Sequence, residues 1–185
     1  LYVGCAGGMD VNVTFKYKEQ ALEGKFAAYK VTVKGLKGGH SGIQIGTQRA
    51  NANKLLFRVL RALTAQMDVK IASVDGGGLR NAIPREAVAV VLVKAADVAE
   101  VKSIAKQYEA VFVAEYAGIE DSIAVSVVDA AVAPVMPADV ANRLMAAVVA
   151  CPDGVEKMSM AMEGLVQTSN NLARVVSDGK RVKLQ

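Results

Sequence analysis

The order in which hydrophobic periods alternate along residues 26–128 constrains the fold of this chain most. The stretch 26–35, FAAYKVTVKG, repeats every second residue and puts Tyr29, Val31 and Val33 on one face of a strand. From Thr47 to Gln66 the spacing becomes helical. Ala52, Leu55, Leu56, Val59, Leu60 and Leu63 fall on one side, and Arg49, Lys54, Arg58 and Arg61 on the other. Residues 68–75 and 86–94 read as strands joined by GGGLRNAIP. A second helix is expected from Asp97, as its N-cap, to Ala117, where Gly118 ends it. SIAVSVV at 122–128 is a further strand, and another is expected over 9–18. The order βαββαβ predicts an α+β, ferredoxin-like antiparallel sheet with both helices on one face.

The pattern then partly recurs. Ala52-Asn53-Lys54-Leu55-Leu56 is echoed by Ala141-Asn142-Arg143-Leu144-Met145, Gly78-Leu79 by Gly164-Leu165, and Val31-Thr32-Val33 by Val125-Ser126-Val127. These echoes predict a partial second copy of the unit. The expected organisation is an opening strand segment over 1–25, a first lobe over 26–128 and an incomplete second lobe over 129–185. The loop GLKGGHSG of the first copy has become DAAVAPVMP in the second, so only the first keeps a histidine. A chain that opens in a strand at Leu1 and stops on RVKLQ reads as a piece of a longer protein.

Composition excludes several functions. The net charge of +4 comes from 22 basic and 18 acidic residues that are well mixed, and the densest basic stretches, KGLKGGH and DGKRVK, carry no aromatic. No nucleic-acid partner is expected from that footprint. No apolar run approaches the roughly 18 residues that cross a bilayer, and no secretion signal is visible, so neither a membrane partner nor export is expected. Cys5 and Cys151 are far apart in sequence and read as reduced, buried residues.

Hydrolytic metal sites need several His, Asp, Glu or Cys side chains on one ion. This chain has one histidine, and it lacks HExxH, HxD, a Glu-Glu pair and GxSxG. No metal ligands are assigned to it, and hydrolysis by the chain alone is not expected. His40, between the glycines of GGHSG, could donate a hydrogen bond to a substrate oxygen or be a solvated surface histidine. Asn81, in RNAIP, could hold a substrate group or belong to a plain connection between strands. The glycines of GCAGG and DGGGL lack the spacing of phosphate loops and read as turns.

KGLKGGHSG, the helix containing RANANKLL, and RNAIPREA together resemble the lid of aminoacyl-histidine dipeptidases, also called cytosol non-specific or Xaa-His dipeptidases. These belong to the zinc aminoacylase and carboxypeptidase G-like superfamily. LYVGCAGGMDVNVTF and QTSNNLARV extend the resemblance over essentially the whole chain. It implies a cytoplasmic enzyme that hydrolyses dipeptides with zinc held in a catalytic domain outside this chain, and a lid able to dimerise. It further implies that His40 stabilises the oxyanion, that Asn81 binds substrate, and that Asn170, at the corresponding turn of the second copy, is a further substrate contact. The Arg that many relatives place beyond the NAIP asparagine for the substrate carboxylate is here Lys94, and no role is assigned to it. A small-molecule-binding regulatory module and a purely structural dimerisation domain are the alternatives, since βαββαβ sheets serve many functions.

Overall fold

The computed structural model describes residues 7–185, so Cys5, its expected burial and the start of GCAGG lie outside the described residues. The expected βαββαβ unit forms in its predicted order. β2 (Phe26–Lys34) leads through a loop to α1 (Ala52–Gln66) and β4 (Lys70–Gly77), then β6 (Ala87–Lys94), α2 (Val98–Glu115) and β7 (Ala124–Ala130). Every pairing among these strands is antiparallel, with Val31 opposite both Ala89 and Val127. Tyr29, Val31 and Val33 face the helices as their alternation predicts, and Leu55, Leu56, Leu60 and Leu63 of α1 are each no more than 1% exposed. Burying a leucine stabilises by about 1.5–3 kcal/mol, so this helix face anchors the unit.

Two helix boundaries differ from the sequence reading. α1 begins at Ala52 rather than Thr47, because Gln48 adopts φ +56° and residues Ile45–Thr47 form a separate 3-10 turn. Asn51 is the true N-cap, its Oδ1 accepting from the N–H groups of Asn53 (3.0 Å) and Lys54 (3.4 Å). Asp97 lies in a 3-10 turn and makes no capping hydrogen bond, and α2 stops at Glu115, before Gly118.

The remaining chain adds α3 (Ala138–Ala150), a hairpin of β8 (Gly154–Met158) and β9 (Val166–Asn170), then β10 (Arg174–Ser177) and β11 (Arg181–Leu184). β10 pairs with the outer edge of β4, β11 with β10, and β1 (Val13–Lys16) with β11. The result is one seven-stranded sheet in the order β1-β11-β10-β4-β6-β2-β7, which runs without a break across residue 128. α3 lies beside α1, and its Leu144 and Val148 enter the same apolar cluster as Val175 and Val182.

The echoes do not share one explanation. Residues 52–56 and 141–145 both lie on helices, and those helices are neighbours. Val31–Val33 and Val125–Val127 instead face each other across the β2–β7 pairing, so their likeness reflects two partners in one sheet. Gly164-Leu165 sits at the β8–β9 turn, whereas Gly78-Leu79 follows a strand of the main sheet. Among the described residues no helix is long and apolar enough to cross a membrane.

Candidate functional site

The loop between β2 and α1 carries His40 and is held at both ends by one distant carboxylate. Glu120, 8% exposed, accepts from Lys37 N–H (2.7 Å) and from Ala50 N–H (3.1 Å). Arg49 Nη1 donates to Gly38 O, and Arg85 Nε donates to Leu36 O at 3.4 Å. Gly38 has φ +63°, and a Cβ there would lie 2.2 Å from the Arg85 side chain, so only glycine fits this close approach.

Gly39 and His40 form a two-residue strand, β3, paired with β5 (Ala82–Ile83), with His40 opposite Ala82. Ser41 N–H donates to Asn81 O at 2.9 Å. The fold thus brings the GGHSG and RNAIP motifs to one place. Asn81 and His40 are both exposed there. The imidazole is fixed within its own turn, because His40 Nδ1 accepts from the N–H groups of Gly42 (3.0 Å) and Ile43 (3.2 Å). A neutral ring that accepts at Nδ1 carries its proton on Nε2. His40 is therefore set up as a donor at Nε2.

Asn170 lies apart from this pair. Its amide donates to Pro152 O and, at 3.7 Å, to Cys151 Sγ, which ties β9 to the end of α3. The next residue makes the connection: Asn171 Nδ2 donates to Ala82 O at 2.9 Å and so braces β5 on the side away from His40. Behind it, Asp153 accepts from Leu172 N–H (2.8 Å) and from Asn51 Nδ2 (2.7 Å). Burial raises the Asp153 carboxyl above the ordinary carboxylate value, opposed by Leu172 N–H, the Asn51 amide and the Lys54 charge. Sequence reasoning missed Glu120, Asn171 and Asp153. The RANAN string did signal part of this frame, since Asn51 and Asn53 both donate to Leu172 O at 3.1 Å.

Among the described residues, no group of three or more His, Cys, Asp or Glu side chains is gathered where it could hold a metal ion. With Nδ1 accepting from two backbone N–H groups and the proton on Nε2, His40 as placed offers no free lone pair to a metal ion.

The fold is a ferredoxin-like α+β domain whose pinned loop presents His40 beside Asn81. The chain belongs to the peptidase dimerisation domain family, whose description matches residues 28–120. It is 38% identical over 188 residues to the cytosol non-specific dipeptidase of Escherichia coli K12, a match covering 100% of this chain and 38% of that protein. Its structure resembles the crystal structure of aminoacylhistidine dipeptidase from Vibrio alginolyticus, with a TM-score of 0.90, 36% identity, and coverage of 94% of this chain and 36% of that one. The chain thus spans little more than a third of the length of these relatives.

Proposed function

We propose that this chain is the lid of a zinc-dependent dipeptidase acting on dipeptides such as Xaa-His, and that His40 donates from Nε2 to the scissile carbonyl oxygen. The observation that carries this reading is the imidazole held at Nδ1 by Gly42 and Ile43. Peptide hydrolysis builds negative charge on that oxygen, and a donor oriented beforehand stabilises it without reorganisation. Asn81, beside His40 on the same small sheet, contacts a polar group of the substrate. Asn170, with its amide N–H engaged at Pro152, contributes a further contact through its oxygen. Zinc belongs to the catalytic domain outside this chain. The first lobe, 26–128, carries His40 and Asn81, while residues 7–25 and 129–185 extend and brace its sheet. The enzyme is proposed to work in the cytoplasm, in line with the name of its Escherichia coli relative.

Replacing His40 by Ala in the full-length enzyme tests the role directly. The expected outcome is a kcat lower by on the order of 100-fold or more, the usual consequence of removing an oxyanion donor. An unchanged kcat would sink the assignment. It would favour instead a structural domain that joins two copies of the enzyme, a reading supported by the family description.

A further inference from the structure

We infer that Gln44 is the positioning residue for His40; the inference rests on the proposed role of His40 as a donor to substrate. Gln44 grips the His40 main chain from both sides. Its Oε1 accepts from His40 N–H at 2.8 Å, and its own N–H donates to His40 O at 2.8 Å. The peptide groups before and after the His40 Cα are therefore both tied to one residue. Gly39 makes room for this grip: its φ is +144°, and a Cβ there would lie 2.5 Å from Gln44 Oε1. Gln44 is anchored in turn, its carbonyl accepting from Thr47 Oγ1 (2.6 Å) and Thr47 N–H (3.0 Å).

With the main chain of His40 held this way, Nδ1 meets the Gly42 and Ile43 N–H groups and Nε2 keeps the proton. Without Oε1, His40 N–H turns to solvent and the ring is free to leave that position. The tautomer and the aim of the donor are then lost together. Misplacement of a catalytic group by about 1 Å costs up to about 100-fold. Solvent can replace the lost bond on this exposed loop, so about tenfold is the expected effect.

The test compares Gln44→Met, which keeps length and removes the acceptor, with Gln44→Glu, which retains an acceptor oxygen. His40 is the sole histidine of the 185 residues, so long-range 1H–15N spectra of this chain report its ring alone. The parent and Gln44→Glu should show the Nε2–H form, and Gln44→Met a mixture of both tautomers with dispersed amide signals elsewhere. In the full-length enzyme, Gln44→Met should lower kcat about tenfold with KM within about twofold, and Gln44→Glu should restore it. A Gln44→Met chain that keeps the Nε2–H form and full kcat overturns the inference. Should Gln44→Met disturb the chain as a whole, Gln44→Ala is read by the same two measurements. A changed tautomer with unchanged kcat would support the positioning role but refute His40 as the donor. Loss of activity in His40→Ala alone would refute only the role of Gln44.

Discussion

Single residues far apart in sequence set the geometry around His40. Glu120 ties down both feet of the loop, Asn171 braces β5, and Asp153 holds Leu172 N–H and Asn51 behind them. The motifs GGHSG and RNAIP were legible in the sequence because each packs its chemistry into a few adjacent residues. Glu120, Asn171 and Asp153 were not, since each acquires its role only from a partner that the fold delivers. Asp153 also makes stability depend on pH. A carboxyl whose folded pKa lies above its unfolded one binds more protons in the native state over the interval between them, so stability falls as pH rises through that interval. Urea midpoints measured as pH rises above the ordinary carboxylate value should fall relative to those of Asp153→Asn, which has no proton to lose there. Parallel profiles for the two chains would refute this.

At the scale of elements, the Lys54 side chain ties α1 to the end of α3. Lys54 Nζ donates to Val148 O (2.8 Å), Val149 O (3.1 Å) and Cys151 O (2.7 Å), closing the last turn of α3 with a cation. The echo on α3 is not used the same way: Arg143 pairs with Asp139 on its own helix at 2.9 Å, and Asn142 is exposed. Lys54→Met is expected to destabilise the chain by about 1.5–3 kcal/mol, the usual value of hydrogen bonds to a charged group. Chemical denaturation measures the loss, and amide exchange should quicken in the last turn of α3 first. A change below about 0.5 kcal/mol would mean that water caps α3 equally well. Helical spacing revealed the apolar face of α1, yet not its start. That start depends on the left-handed backbone at Gln48, which no hydrophobic period encodes.

For the whole molecule, the sequence pointed to a βαββαβ unit, which is present. The segment after it, expected as a partial second copy, instead supplies a helix, a separate hairpin and two strands that join the one sheet. What periodicity could not convey is where the added strands go. β10 is placed by the exposed edge of β4, and only the folded unit offers that edge. Because the sheet and the apolar cluster pass through residue 128, the chain should unfold in one cooperative step. Far-UV circular dichroism and tyrosine fluorescence should trace the same urea transition, and two separated midpoints would show that the later segment melts independently. The pairing at the far edge bears on how this sheet is assembled in time. β1 closes against β11, with Val13 opposite Leu184, so this ladder joins residues from nearly opposite ends of the described chain. Loop-closure entropy grows with separation, and contacts of such range reward the chain only after their surroundings have formed. The β1–β11 edge is therefore the natural last step of folding, and the first part of the sheet to open when the molecule breathes.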